Sequence, residues 1–204
     1  MKKFNLKDIL IPTVSLFLIC AVATALLGLT NSVTEKKIQE VAAQSAAEAR
    51  LRVCENAENF DEKTDKNGNI YFEAKDKNGE TVGYAVTTED KSYGGKIEVM
   101  TGFSADGKIT GVEILTIDDT PGLGMNAKKE SFRNEYLGKT GTLTVSKGAS
   151  ADNEIQALTG ATITSNAVTR CVNKATEICE NALGGEINGG EKSNRQRVYK
   201  RSYC

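Results

Sequence analysis

The sequence predicts an α+β protein: an N-terminal transmembrane helix, followed by one domain whose twisted, largely antiparallel sheet is flanked by helices. Three observations support this prediction. Residues 9–29 are apolar and uncharged, strand-forming segments follow one another between residues 70 and 117, and helical periodicity returns near the end of the chain. Consecutive strands with helices at both ends favour an α+β arrangement over a doubly wound sheet.

The apolar run at residues 9–29 is long enough to cross a bilayer as a helix, for which about 20 residues suffice. Lys2, Lys3 and Lys7 precede it, so the positive-inside rule predicts a cytoplasmic N-terminus and an extracytoplasmic domain. The predicted location is the bacterial inner or plasma membrane, crossed once.

Two other roles for this run stay open from the sequence. A cleaved signal peptide has a shorter apolar stretch before a small-residue site such as residues 21–23, whereas this run continues to Leu29. A lipid anchor at Cys20 would need a small residue before the cysteine, where the chain has Ile19. A retained anchor is the favoured interpretation.

The chain is expected to divide into four parts. These are a cytoplasmic N-terminus with the anchor at 1–30, an amphipathic linker helix at 31–55, the extracytoplasmic domain at 56–185, and a disordered polar and basic tail at 186–204. Thr34 is expected to be the N-cap of the linker helix, because a threonine hydroxyl accepts a hydrogen bond from a first-turn N–H group.

Turns and strands within the domain follow from local composition. Asp-Lys-Asn-Gly occurs at residues 65–68 and again at 76–79, and Asn-Gly is a strong hairpin signal. A short helix is expected within residues 126–138, ending at Gly138. Strands are predicted at residues 70–74, 81–86, 96–103, 108–117 and 143–145.

The last helix is predicted from an apolar face with helical spacing, and it is expected to stop at Gly184 and Gly185. The face consists of Val168, Cys171, Val172, Ala175, Ile178 and Cys179.

Composition excludes several classes of function. The 204-residue chain has a net charge of −1, which gives no indication of a nucleic-acid partner. It contains no His, which excludes Ser-His-Asp and Cys-His nucleophiles and removes the commonest transition-metal ligand. We therefore expect no catalytic side chain and no metal site, and any reactivity has to come from a cofactor.

The five cysteines show no pattern of a disulfide or a metal centre. Cys171 and Cys179 are eight residues apart on the predicted helix, which separates their Cα atoms by roughly 12 Å and prevents a disulfide. No Cys-x-x-Cys pair supports a zinc or iron–sulfur site. All five, including Cys20, Cys54 and Cys204, are interpreted as buried or incidental thiols.

Residues 158–168 place four hydroxyl side chains and Gly160 at the start of the last helix. A helix N-terminus presents free N–H groups and the positive end of the helix dipole, which suits a phosphate. Gly160 lets the backbone approach a ligand closely. The same composition is typical of a simple N-cap, so this segment alone leaves both interpretations open.

Residues 118–125 form a second segment of interest, directly after a predicted strand. Pro121 and the glycines on either side of Leu123 make a rigid loop with accessible backbone. The Leu123 side chain would be exposed unless a flat ring such as isoalloxazine, or another protein segment, covers it. An ordinary turn is the remaining interpretation.

Taken together, the two segments resemble the FMN-binding domain family. The matching residues are Thr159-Gly160-Ala161-Thr162 followed by Ile163-Thr164-Ser165, and Asp119-Thr120-Pro121-Gly122-Leu123-Gly124. With the anchor, residues 5–184 are similar to the RnfG family, the G subunits of Rnf electron transport complexes. In that family the second threonine of the [Ser/Thr]-Gly-Ala-Thr motif is esterified to the FMN phosphate, which implies Thr162 as the covalent attachment point.

The resemblance implies an electron carrier, without a substrate site of its own, in an ion-translocating ferredoxin:NAD oxidoreductase complex. Its partners would be the other membrane subunits, the lipid bilayer and a flavin transferase that attaches FMN. The phosphate end of FMN would be shaped by Thr159, Gly160, Ala161, Ile163 and Thr164. The ring would be lined by Thr120, Gly122, Leu123 and Gly124.

Two positions depart from the family pattern. Gln156 stands three residues before Thr159, where many relatives carry Asp, and Asp119 opens the loop motif, where Glu is common. Gln156 removes a negative charge that a flavin transferase could recognise. Asp119 keeps the negative charge but carries it on a side chain shorter than that of Glu. The alternatives are the FMN-carrying NqrC-type subunit of a Na⁺-translocating NADH:quinone reductase and a membrane-tethered binding module without flavin.

Overall fold

The computed structural model describes residues 6–148 and 151–183. The helices are α1 (Leu6–Val53), α2 (Glu130–Arg133) and α3 (Thr162–Ala182), with short 3₁₀ helices at Gly124–Lys128 and Asn134–Tyr136. The strands are β1 (Asn59–Thr64), β2 (Ile70–Lys75), β3 (Thr81–Lys91), β4 (Lys96–Ser104), β5 (Ile109–Ile117), β6 (Thr144–Ser146) and β7 (Glu154–Gln156).

Strands β1 to β5 form one antiparallel sheet in sequence order, and β6 pairs with β7 in a separate parallel ribbon. This arrangement confirms the predicted α+β class. The two Asp-Lys-Asn-Gly turns join β1 to β2 and β2 to β3, as predicted. Their glycines, Gly68 and Gly79, have φ angles of 86° and 82°, a conformation that favours glycine.

Helix α1 is continuous from Leu6 to Val53, so Thr34 lies within it and the predicted N-cap at Thr34 is wrong. The five residues directly before Thr34, Leu29 to Val33, include no Gly or Pro that would end the helix. Their hydroxyls bond the helix's own backbone, with Thr30 Oγ1 donating to the Leu26 carbonyl at 2.9 Å and Ser32 Oγ donating to the Gly28 carbonyl at 3.0 Å.

The chain divides into two compact units, Met1–Ser45 and Ala46–Cys204. The first holds the apolar part of α1, and the most apolar window of Leu10–Val53 has a mean hydropathy of 2.4 with none of it buried in the protein. By length and composition this helix is able to cross a membrane once, and its location near the N-terminus agrees with the predicted anchor.

In the second unit, the C-terminal end of α1 packs against one face of the sheet. Gly102 and Gly111 are partners on β4 and β5, and both lie directly under Val53. A Cβ atom at Gly102 would lie 2.3 Å from the Val53 carbonyl oxygen. The small core on this face comprises Ala49, Val53, Cys54, Ala57, Ala74, Ala85 and Met100.

The main core lies on the opposite face of the sheet, under α3. Five members of the predicted apolar face of α3 are buried and Ile178 is partly buried against them, which confirms the predicted spacing. The expected stop at Gly184 and Gly185, and the predicted tail at 186–204, lie outside the described residues.

Three local features differ from the sequence prediction. Strand β1 was missed because its sequence, Asn-Phe-Asp-Glu-Lys-Thr, is polar, and on this edge strand only Phe60 is partly buried. Strand β7 was missed because it has only three residues. The short helix expected within residues 126–138 is present as α2, but an unpredicted 3₁₀ helix precedes it, and Lys129 in an extended conformation separates the two.

Candidate functional site

The two segments singled out in the sequence meet at one cavity of about 470 Å³. The loop that follows β5, the start of α3 and the turn between β3 and β4 surround it. Its volume lies within the roughly 300–1,000 Å³ of small-molecule sites. The lining residues are Tyr93, Asp119, Thr120, Leu123, Gly124, Gly160, Ala161, Thr162, Ile163 and Thr164.

Most of the predicted site residues therefore line one cavity, although their two segments are about 40 positions apart in the sequence. Thr159 and Gly122 do not line it. Both are exposed, and each directly precedes a lining residue in the sequence. Tyr93 and Asp119 line it without having been predicted as site residues. Asp119 opens the loop motif and was identifiable from it, whereas nothing in the sequence connects the β3–β4 turn that carries Tyr93 with either segment.

Asp119 connects three parts of the chain at this site. Its side chain is 3% exposed. Its Oδ2 atom accepts hydrogen bonds from Ser92 Oγ and from Thr164 Oγ1, each at 2.5 Å, and its Oδ1 atom accepts one from the Gly94 backbone N–H at 2.5 Å. We call this set of contacts the Asp119 clasp.

The same contacts determine the charge of Asp119. Burial disfavours a carboxylate and acts to raise its pKa, but the hydrogen bonds from Ser92, Thr164 and the Gly94 N–H together outweigh burial and lower the pKa below its ordinary value. Asp119 is therefore ionised at neutral pH, and its negative charge faces the cavity.

Gly124 is required by the tight packing around the clasp. A Cβ atom at this position would lie 2.6 Å from the Cβ of Asp119 and 2.6 Å from Thr164 Oγ1. Non-bonded carbon atoms pack at about 3.5–4.0 Å, so any side chain here would displace one of the two partners. The close packing therefore explains why the second glycine of the loop motif, Gly124, has no side chain.

The start of α3 has no side-chain cap. Its N-cap residue is Ala161, which makes no side-chain capping hydrogen bond. The nearby hydroxyls are used elsewhere: Thr164 donates to Asp119, and Ser165 Oγ donates to the Ala161 carbonyl and accepts from the Leu158 N–H. The interpretation of this segment as a simple hydroxyl N-cap is therefore wrong, because the first turn of α3, whose residues line the cavity, has no capping side-chain oxygen.

The wall of the cavity combines a polar end with apolar side chains. Thr162 is exposed as the first residue of α3. Tyr93, Leu123 and Ile163 are 70%, 45% and 56% exposed, although large apolar side chains are usually covered. Gly160 has φ +74°, and a Cβ atom there would lie 3.2 Å from Leu123 Cδ2. These residues fit FMN, with apolar walls for a flat ring and a helix N-terminus for a phosphate.

A larger cavity, of about 590 Å³, lies where the β1–β2 turn, β3 and α3 meet. Its lining is mainly polar, including Glu89, Glu98, Lys174 and Glu177, and it contains none of the motif residues. Among residues 6–148 and 151–183, no group of three or more His, Cys, Asp or Glu side chains is arranged to hold a metal ion.

Comparison with known families matches both parts of the chain. The model of the FMN-binding domain matches residues 92–177, which include the turn, the loop and the α3 segment that form the cavity. The model of the RnfG N-terminal region matches residues 1–53, which end with α1.

Curated relatives match along most of the chain. It is 40% identical over 187 residues to the G subunit of the Na⁺-translocating ferredoxin:NAD⁺ oxidoreductase complex of Acetobacterium woodii, covering 81% of this chain and 89% of that protein. It is 44% identical over 121 residues to the proton-translocating counterpart of Clostridium ljungdahlii, covering 59% and 65%. It is 30% identical over 181 residues to the G subunit of the ion-translocating oxidoreductase complex of Methanosarcina acetivorans, covering 84% and 94%.

Among solved structures, the crystal structure of Shewanella oneidensis NqrC is similar, with a TM-score of 0.50 and 20% sequence identity. The match covers 65% of this chain and 73% of that chain. At this identity the likeness shows a shared fold.

Proposed function

This chain belongs to the RnfG family, the G subunits of ion-translocating oxidoreductase complexes, and from that membership we propose that it relays electrons through FMN bound in the 470 Å³ cavity. FMN supplies the electron-transfer chemistry when it is bound, and the protein binds, orients and retains it. The complex would be a ferredoxin:NAD oxidoreductase, as the names of the Acetobacterium and Clostridium relatives state for those proteins. Because those names differ in the ion, we assign none here.

One observation carries this proposal: the loop and the helix start that hold the motif residues meet across the Asp119–Thr164 hydrogen bond. They enclose a cavity that the exposed Thr162 borders. A pair of unrelated turns would have no reason to share a buried carboxylate and to leave three large apolar side chains exposed around one opening.

The residues divide into two groups by the part of FMN they would hold. The uncapped first turn of α3 would bind the phosphate through its N–H groups, in the segment that runs from Thr159 to Thr164. Leu123 would cover the ring, and Tyr93 would add an aromatic surface. Thr120, Gly122 and Gly124 would shape the loop that carries Leu123.

FMN would be attached through a phosphoester at Thr162. The Thr162 oxygen would form a bond to the FMN phosphorus while a separate flavin transferase breaks the phosphoanhydride bond of a flavin dinucleotide, so that a nucleoside monophosphate leaves with the Thr162 hydroxyl proton. The chain then carries one FMN less one water. Thr162 is exposed at the start of α3, so an enzyme has access to its hydroxyl. Gln156, where many relatives carry Asp, donates a hydrogen bond from Nε2 to the Lys147 carbonyl at 2.8 Å and is part of β7.

The membrane topology completes the proposal. Helix α1 would cross the membrane with its N-terminus in the cytoplasm, because Lys2, Lys3 and Lys7 precede the apolar run. The FMN-binding domain, residues 56–185, would then lie outside the cytoplasm after the anchor at 1–30 and the linker at 31–55. A covalent tether suits that location, because a cofactor lost there could not be replaced from a cytoplasmic pool.

The test is the intact mass of the denatured protein after co-expression with a flavin transferase. We expect the wild type to gain the mass of one FMN less one water, and Thr162→Ala to gain nothing. Thr142→Ala is the matched control, because this exposed threonine lies outside both motif segments and does not line the cavity.

Each outcome decides between the proposals. Attachment in the wild type and Thr142→Ala, but not in Thr162→Ala, supports the phosphoester. An unmodified wild type that still binds FMN would overturn only the covalent link. An unmodified wild type without flavin absorbance would overturn the electron-relay proposal and favour a tethered binding module.

A further inference from the structure

We propose that Asp119 is a positioning residue, which holds the loop and the first turn of α3 in the arrangement that presents Thr162 for FMN attachment, and whose negative charge makes bound flavin harder to reduce. This inference rests on the proposed function and extends it to a residue that the motif resemblance had left without a role.

The clasp is positioned to control the geometry of the site because its partners come from three separate elements. Ser92 and Gly94 belong to the β3–β4 turn, Asp119 to the loop after β5, and Thr164 to α3. Ser92, Asp119 and Thr164 are 5%, 3% and 1% exposed. Water therefore has little access to replace a lost partner, and removing the carboxylate would leave two buried hydroxyls without their acceptor.

Thr164 connects the clasp to the attachment point. The family resemblance implied that Thr164 shapes the phosphate end, but its hydroxyl donates to Asp119 at 2.5 Å. Thr162 lies two residues earlier on the same helical turn. A displacement of about 1 Å in a reacting group is enough to slow a reaction by orders of magnitude, so loosening Thr164 would slow attachment at Thr162.

The charge of Asp119 is balanced by hydrogen-bond dipoles alone. None of the ion pairs among the described residues includes Asp119. Its side chain lines the cavity proposed for FMN. A fixed negative charge at a partly buried site disfavours the addition of an electron to a neighbouring group, which lowers that group's reduction potential.

Two substitutions of Asp119 separate the effect of its hydrogen bonds on the geometry of the site from the effect of its negative charge. In Asp119→Asn, the amide nitrogen has two hydrogens for the Ser92 and Thr164 oxygens and the amide oxygen accepts from the Gly94 N–H, so the clasp persists without its charge. Asp119→Ala removes both the clasp and the charge. Asp118→Asn is the matched control, because Asp118 is an exposed neighbour outside the cavity lining.

The first measurement is the initial rate of FMN attachment, followed by intact mass at a temperature where every variant is folded by circular dichroism. We expect Asp119→Ala to attach FMN at least about tenfold more slowly, and Asp119→Asn and Asp118→Asn to stay close to the wild type. Thr164→Val, which loses one clasp hydrogen bond and keeps the charge, should also be slowed. This second variant decides the question if Asp119→Ala does not fold.

The second measurement is the midpoint potential of the attached flavin, which a purely structural role would leave unchanged. We expect a more positive potential in Asp119→Asn and no shift in Asp118→Asn. Wild-type attachment rates in folded Asp119→Ala and Thr164→Val would overturn the positioning role, and an unshifted potential in Asp119→Asn would overturn the role of the charge. Absence of FMN from the wild type itself would instead overturn the proposed function.

Discussion

The Thr110 hydroxyl donates a 2.5 Å hydrogen bond to the carbonyl oxygen of Val53, which is the last residue of α1. A carbonyl at a helix C-terminus lacks a partner within its own helix, so the neighbouring strand supplies one. The Gly102 and Gly111 pair beside it leaves the space in which Val53 lies. The C-terminal end of α1 is thereby bonded to β5, which lies at one edge of the five-stranded sheet.

Replacing Gly102 with alanine should loosen this junction. The new Cβ would lie 2.3 Å from the Val53 carbonyl oxygen and 2.7 Å from the Val53 Cβ, both backbone or branched positions with little freedom to move. We expect a loss of about 1–3 kcal/mol in the free energy of unfolding, measured by urea denaturation in detergent. Thr110→Val should cost less, about 1 kcal/mol, because only the hydrogen bond is lost. An unchanged stability in both variants would contradict the described packing.

Gly124→Ala should disrupt the Asp119 clasp without altering any of its polar groups. The added methyl group would lie 2.6 Å from both Asp119 Cβ and Thr164 Oγ1, so the two residues have to separate. We expect a lower Tm and slower FMN attachment, measured by thermal denaturation and intact mass. Gly148→Ala is the control, because no heavy atom lies within 4 Å of a Cβ at Gly148. Equal attachment rates in the two variants would show that this loop tolerates displacement.

Acid should weaken the protein in part through Asp119. Its pKa in the folded state is lower than its ordinary value of 3.8, so its ionised form stabilises the fold above that pH, and the contribution is lost as the pH falls through the folded-state pKa. Asp119→Asn lacks this titration, whereas the other carboxyls are common to both proteins. The difference in unfolding free energy between wild type and Asp119→Asn should therefore depend on pH below about 4 and become constant near pH 7. A difference that does not vary with pH would contradict the lowered pKa.

The buried cysteines should not react in the folded protein. Burial raises the pKa of Cys54 and Cys171 to about 11 and that of Cys179 to about 12, and the thiolate is the reactive form. We expect iodoacetamide at pH 8 to leave these three unmodified, as measured by peptide mapping, and to modify them after denaturation in urea. Rapid modification of Cys171 without denaturant would show that α3 separates readily from the sheet.

Several elements of the fold were predictable because their signals are local. An Asn-Gly turn places its glycine in a left-handed conformation independently of distant residues. The Asn-Gly pairs within residues 65–68 and 76–79 were therefore sufficient to predict the two hairpins. The apolar spacing of α3 reflects burial on one side of a helix and was likewise read correctly. Strand β1 escaped prediction because pairing to β2, not its own polar composition, keeps it extended.

The sequence by itself determined the apolar anchor, the order of the strands, and the two motifs that identify the FMN-binding domain family, because each of these depends on neighbouring residues. Only the tertiary structure decided that Tyr93 joins the cavity, that Thr164 donates to Asp119, and that Gly124 has no room for a side chain. Apart from the contact between Gly124 and Asp119, these relationships connect residues about 30 to 70 positions apart along the chain, and such contacts exist only after the strands and α3 have packed around a common core.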